Sequence, residues 1–281
     1  MFDFPNIDPV ILQVGPLAVT WYSLSYVTSI LAGWYLAGRL TLLAPLGITK
    51  KNIEDFIVWA ILGVIVGGRL GYVLFYDPEK YLADPIGILK TYEGGMSFHG
   101  GLIGFTLAAF LYCRKNKLRF LSLMDLAAIV TPIGFFLGRI ANFINGELFG
   151  RHANVPWAII FPDSDGVPRH PSQLYEALLE GLVLFLIMLY FTYRHRFLEK
   201  PGRLSAMLLI FYGIFRAFVE FFREPDVQIG FIASWFTQGQ LLCIPMILLG
   251  GYLLFRKGVI PGRSTQDPAK HVKDGSPPSR G

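Results

Sequence analysis

The chain has 281 residues, of which 53% are apolar, 15% aromatic and only 16% charged. Soluble domains carry about 25% charged residues, so this composition excludes an ordinary cytosolic enzyme and implies a chain solvated largely by lipid. The net charge of +5 is too small and too dispersed for a nucleic-acid binder. Two cysteines, Cys113 and Cys243, cannot make a disulfide framework or a Cys-rich metal site, and both lie in apolar sequence that reads as packing. The start, Met1-Phe2-Asp3-Phe4-Pro5, is acidic rather than basic and does not read as a cleavable signal peptide.

A helix needs roughly 20 apolar residues to cross a bilayer. Residues 10–38 and 227–255 carry no charge, and each run is long enough for one helix with an interfacial lead-in. Five further spans are expected near residues 56–76, 96–113, 122–140, 173–193 and 204–222, each interrupted by one or two ionisable groups. Strand alternation is missing from these runs, which argues against a barrel. The expected fold is therefore an all-α polytopic membrane protein of about seven transmembrane helices.

Lys and Arg set the orientation. The segments after the first, third, fifth and seventh spans begin with Arg39, Arg114, Arg194 and Arg256 and hold three, four, four and six basic residues. The opposite side holds only Lys80, Lys90, Arg151, Arg169 and Arg223. This places the N-terminus outside and the C-terminus in the cytoplasm. Residues 1–256 read as a single transmembrane catalytic domain. Residues 257–281, rich in Lys, Pro, Gly and Ser, read as a disordered cytoplasmic tail. The long loops, 77–95 and 142–172, lie outside.

Ionisable groups within spans are costly and mark function by default. Arg69, His99, Arg139, Glu176, Glu180, Arg216 and Glu220 all fall in the outer half of the membrane on this topology, as does Tyr22. Such clustering predicts a hydrated, electropositive cavity. Each group also has a plainer reading. Arg69 can snorkel or pair structurally, and Glu176 with Glu180 can simply neutralise nearby arginines. Tyr212, Arg216 and Glu220 recur at i, i+4 and i+8 on one helical stripe, where Arg216 and Glu220 form an ion pair. His99 sits among glycines that permit close approach of a ligand or a neighbouring helix. Gly63, Gly67 and Gly71, at four-residue spacing, read as a helix-packing face.

Metalloprotease, Walker, dinucleotide-binding and acyl-transfer triad motifs are missing, and His152 and His170 lack ligand-like spacing. No metal or cofactor is expected. Arginines, a histidine, amides and tyrosines make an anion site, most naturally for a phosphate gripped by guanidinium groups. At this depth the available phosphate belongs to a phospholipid.

The densest polar stretch is Gly138-Arg139-Ile140-Ala141-Asn142-Phe143-Ile144-Asn145-Gly146-Glu147-Leu148-Phe149-Gly150. It resembles the signature G-R-x-[GA]-N-F-x-N-x-E-x-x-G of the bacterial prolipoprotein diacylglyceryl transferase family at every specified position. Trp21-Tyr22, the run Gly95 to Gly101 around His99, the run Arg169 to Glu176, and Tyr212 to Arg216 running on to Val219 through Asp226 also look like that family. The resemblance covers residues 1 to about 256.

It implies an enzyme of the bacterial inner membrane, with its site facing the outer leaflet. Its substrates would be phosphatidylglycerol and a prolipoprotein whose signal peptide carries a lipobox cysteine; membrane lipids would be its other partners, and nucleic acid is not among them. The diacylglyceryl group would pass to the cysteine sulfur as a thioether, releasing glycerol 1-phosphate. On that reading Arg139 and Arg216 hold the phosphate, and Asn142 and Asn145 donate to headgroup oxygens. Tyr22 and Tyr212 orient the headgroup, Glu220 steadies Arg216, and Glu147 and Gly150 shape the loop above. His99 is the expected general base, with Tyr22, Glu220 or a purely electrostatic field as alternatives. A transporter or channel for an anionic solute is the competing class, since buried arginines also line solute pathways. It would require polar residues through the full depth and internal symmetry, and the sequence offers neither.

Overall fold

Threonines open three of the long helices, at Thr20, Thr49 and Thr237. Each accepts the backbone N–H of its N3 residue, and the side chain of that residue (Ser23, Asn52 or Gln240) accepts the threonine N–H in return. Such reciprocal caps matter most where no water can satisfy a helix end.

The computed structural model describes residues 2–15, 17–162, 164–224, 231–232 and 236–256. In chain order it gives β1 (Phe2–Asp3), β2 (Val10–Val14), β3 (Leu17–Thr20), α1 (Trp21–Leu40), α2 (Lys50–Phe75), α3 (Pro78–Ala83), α4 (Phe98–Lys115), α5 (Phe120–Ile144) and β4 (Ile159–Ile160). A helical stretch follows as α6 (Ser172–Glu176), a π-helical segment (Ala177–Val183) and α7 (Leu184–Arg194). Then come α8 (Arg203–Val219), β5 (Phe231–Ile232), β6 (Phe236–Thr237) and α9 (Gln238–Phe255). Lys50–Phe75, Phe120–Ile144 and Ser172–Arg194 are each long and apolar enough to cross a membrane. The expected tail, 257–281, lies outside the described residues, as do Pro225 and Asp226 of the last motif.

The chain is mostly helical, as expected, but the first apolar run is not a helix throughout. Residues 10–20 form an antiparallel hairpin, β2 with β3, turning at Gly15 with φ +59°. Helix α1 begins only at Trp21, where Thr20 caps it. β1 pairs in parallel with β4, so residues 2–3 are strapped to the loop between α5 and α6, and the Phe4 ring packs against Phe143 and Phe161.

Helix α5 is central, packing against α1, α4, α7 and α8 as well as α6 and the π segment. Its Leu123, Leu126 and Ile129 join Leu184, Met188 and Leu204 in one buried cluster. The helix flanks instead expose large apolar side chains, such as Leu62, Val66 and Leu74 on α2, a surface suited to lipid rather than water. The glycine face read from the sequence is the seam between α2 and α4: a Cβ on Gly63 would stand 2.7 Å from the Gly104 carbonyl oxygen, and one on Gly71 would stand 2.8 Å from Gly100 Cα. The glycines beside His99 therefore serve a neighbouring helix.

Arg69 is buried and belongs to the fold. Nε donates to Ile88 O (2.9 Å), Nη2 to Gly87 O (2.7 Å) and Lys90 O (3.1 Å), and Nη1 to Gly94 O and Gly95 O (3.1 Å). All five guanidinium donors are spent on carbonyls of the loop between α3 and α4.

Candidate active site

The signature stretch ends α5 and turns back on it. Arg139 and Asn142 share a face one turn apart, and Arg139 Nη1 donates to Asn142 Oδ1 at 3.2 Å. Past the helix end Gly146 takes φ +71°, which a C-terminal reversal requires, and brings Glu147 back beneath the last turn. Glu147 Oε1 then accepts from Asn142 Nδ2 at 2.8 Å and from Asn145 Nδ2 at 3.1 Å.

Leu148 follows at φ +58°, a left-handed conformation costing a branched residue about 1–2 kcal/mol. Two side chains at the start of α6 hold this turn in place. Gln173 Nε2 donates to Glu147 O at 2.6 Å and Ser172 Oγ to Leu148 O at 3.1 Å, both from buried positions. Backbone strain fixed by its surroundings is a recurrent feature of working sites.

Glu176, also buried, is the hub of the charges. Arg139 Nε pairs with its Oε2, Arg216 Nη1 lies 3.3 Å from the same oxygen, and Arg223 Nη1 donates to Oε1 at 3.2 Å. Arg216 Nη2 meets Glu220 Oε2 at 2.9 Å, the stripe pair expected from spacing. Its Nη1 is also 4.0 Å from Glu180 Oε1, yet makes no aligned hydrogen bond to either carboxylate. Glu180 rides on the π-helical segment, a local widening found often at functional sites. Glu220 is wedged against α9, where a Cβ on Gly239 would come within 2.8 Å of its carboxyl carbon.

Three guanidiniums here face three carboxylates. This corrects the electropositive cavity expected from the sequence, because each arginine is compensated. Glu176 and Glu180 do neutralise arginines, and Glu176 is also the element that draws them together. It was missed as a site residue, with Arg223, Ser172, Gln173 and Gly239. Glu176 was marked as an ionisable group within a span; for the others the only signal was membership of the motifs running from Arg169 to Glu176 and from Val219 to Asp226, or, for Gly239, none.

Beside the hub lies a cavity of about 580 Å³, lined by Pro9, Thr20, Tyr22, Asn142, Asn145, Glu147 and Leu148. Tyr22 reaches it from the first turn of α1, with its hydroxyl 3.1 Å from that of Tyr26. Tyr212, one turn before Arg216, packs on Phe135 with ring centroids 4.9 Å apart. Gly150 is a packing position: its N–H donates to His170 O at 2.8 Å, its carbonyl accepts from Arg169 Nη1 at 3.2 Å, and a Cβ would stand 2.9 Å from His170 O.

His99 departs from expectation. It lies in the first turn of α4, and it is exposed rather than buried. Among the described residues no hydrogen bond or ion pair joins it to the arginines or carboxylates, and its ring meets the edge of Phe98.

The loop between α5 and α6 has its own charge cluster. Arg169 bridges Asp165 and Glu224 at 3.0 Å each, and His152 Nε2 is 2.7 Å from Asp165 Oδ2. Hydrogen bonds from Arg169, then from His152, hold the Asp165 carboxyl below the usual carboxylate range. Asp165 in turn raises Arg169, while burial pushes His170 down.

A model of the prolipoprotein diacylglyceryl transferase family matches residues 9–256. The chain is 61% identical over 251 residues to the phosphatidylglycerol–prolipoprotein diacylglyceryl transferase of Rickettsia felis, covering 89% of this chain and 97% of that protein. It is 60% identical to the enzyme of that name from Rickettsia africae, with the same coverage. For Rickettsia bellii the figures are 59% over 253 residues, 90% of this chain and 96% of the relative. Matched across its helical body by the family and by these relatives, the chain belongs to the prolipoprotein diacylglyceryl transferase family.

Proposed function

We propose that the chain transfers the diacylglyceryl group of phosphatidylglycerol to the lipobox cysteine in the signal peptide of a prolipoprotein. The names of its relatives supply the lipid and the protein acceptor. The observation that carries the reading for this site is the convergence of Arg139 and Arg216 on one oxygen of Glu176, with Arg139 bonded in turn to Asn142, which lines the neighbouring cavity. Two guanidiniums directed at a carboxylate oxygen are equally suited to a phosphodiester oxygen.

In the transfer, the cysteine thiolate attacks the glyceryl carbon that bears the phosphate. The C–S bond forms as the C–O bond breaks, and the electron pair leaves on the phosphate of glycerol 1-phosphate. Arg139 and Arg216 stabilise that developing charge, each well-placed group contributing roughly 3 kcal/mol. Arg216 Nη1, near two carboxylates without an aligned bond to either, is the donor most ready to turn to phosphate. Asn142 and Asn145 each keep a second amide N–H beyond the one given to Glu147. Tyr22 and Tyr212 orient the headgroup, Glu220 steadies Arg216, and Glu147 and Gly150 shape the turn.

A thiol with a pKa of about 8.5 must lose its proton first. His99, exposed and without a polar partner among the described residues, is our assignment for the base that accepts it. The protein is a single domain over 1–256 that crosses the bacterial inner membrane seven times, its N-terminus and site outside and its tail in the cytoplasm. No metal or cofactor enters this scheme. The named activity of the relatives gives the anion-transporter reading no support.

The test uses purified protein in lipid nanodiscs, phosphatidylglycerol labelled in its acyl chains, and lipobox peptides ending in Cys or Ser. Label on the Cys peptide alone is expected; an unlabelled Cys peptide overturns the reading.

A further inference from the structure

Helix α8, which carries Arg216, has no cap of its own. Its N-cap is Gly202, at φ +92°, and Gly202 has no side chain to offer. The free N–H groups go instead to a neighbouring helix. Asp125 of α5 accepts from Gly202 N at 2.6 Å through Oδ2, and from Ser205 N and Ser205 Oγ, both at 2.7 Å, through Oδ1. Asp125 is fully buried, so these bonds have no water to replace them.

This carboxylate joins the two helices that bear the converging guanidiniums. From Asp125 to Arg139 is about 21 Å along α5, and from Ser205 to Arg216 about 17 Å along α8, at 1.5 Å per residue. Both helices run from the Asp125 contact toward Glu176, where their arginines meet on one oxygen. A slip of α8 along α5 by a single residue would move Arg216 by about 1.5 Å. A misplacement of about 1 Å is enough to cost a hundredfold in rate.

We infer that Asp125 is a positioning residue for the transfer: it fixes the axial register of α8 on α5 and so sets the spacing of Arg139 and Arg216. The inference rests on the proposed role of these two arginines in gripping the phosphate. Asp125 touches neither substrate, and acts from the opposite end of both helices.

The experiment compares wild type, Asp125→Ala and the double variant Asp125→Ala/Ser205→Asp in nanodiscs. The second change returns a carboxylate to the third residue of α8, capping that helix locally without tying it to α5. The double variant is expected to regain the melting temperature lost by Asp125→Ala while its kcat stays at least about tenfold down. A second readout needs no activity: spin labels at Ile140 and Phe218, with Cys113 and Cys243 replaced by Ala, report the spacing of the outer helix ends. That distance distribution is expected to shift or broaden in both variants. Full kcat in the double variant, or an unchanged distribution, overturns the register role. If wild type fails to transfer from phosphatidylglycerol, the reading of the arginines fails instead, and the label distances still decide whether Asp125 sets the register.

Discussion

Arg139 and Arg216 close on the same carboxylate oxygen, Glu176 Oε2, from two different helices. A buried carboxylate in that position keeps both guanidiniums ordered and aimed at one point before any lipid arrives.

Glu176→Gln keeps the shape and removes the charge that three arginines share. Leaving buried charges unpaired costs about 3–5 kcal/mol, so a large fall in thermal stability is expected in detergent or nanodiscs. A variant melting with wild type would mean that Glu176 does not hold the cluster together.

Gly239 leaves room for the Glu220 carboxylate, which in turn steadies Arg216. Gly239→Ala is expected to push Glu220 aside and lower kcat roughly ten- to a hundredfold. Gly251→Ala, on the same helix with open space around it, is the control and should transfer normally. Equal activity in the two variants contradicts the wedge.

Much of this architecture was legible in the chain. Apolar runs, uncharged or interrupted by one or two ionisable groups, marked the helices, and the four-residue glycine spacing marked the α2–α4 seam. The hairpin at residues 10–20 was not, because Val, Ile and Leu are equally apolar in a strand and in a lipid-facing helix. Its one local signal was the Gly-Pro dipeptide at positions 15 and 16 of the sequence. Depth in the membrane, as expected from the sequence, grouped Arg139, Arg216 and Glu220, and in the structure Arg139 and Arg216 meet on Glu176 while Arg216 pairs with Glu220. For Arg69 the sequence left function and a structural pairing open, and its partners are carbonyls in a loop with no pattern to announce them. Beside His99 the glycine run announced close approach of a ligand or a neighbouring helix without saying which, and the structure brings a helix there. Glu176 as the common partner could come only from three-dimensional packing.

His99→Gln tests the base. If histidine accepts the thiol proton, transfer falls by roughly a hundredfold at neutral pH and the rise of rate with pH moves upward. Substantial activity with an unchanged pH profile would leave thiolate formation to the arginine field.

The loop between α5 and α6 carries a separate pH expectation. A carboxylate whose folded pKa is depressed stabilises the fold above its unfolded value of about 3.9, and loses that contribution only as pH falls through the folded value. Asp165, held low by Arg169 and His152, is fully effective at pH 5 and at pH 7. Amide exchange in the loop should therefore be faster in Asp165→Asn than in wild type at both pH values. A difference already lost at pH 5 contradicts the pairing.

The most direct test of the phosphate grip is a double-mutant cycle on kcat/KM with Arg139→Lys and Arg216→Lys. An ammonium cannot reproduce a guanidinium fork, so each single change is expected to cost about a hundredfold. If the two residues act as a unit on one phosphate, the double variant will be scarcely worse than either single variant. Losses that simply multiply, or near-normal transfer in either single variant, would contradict it.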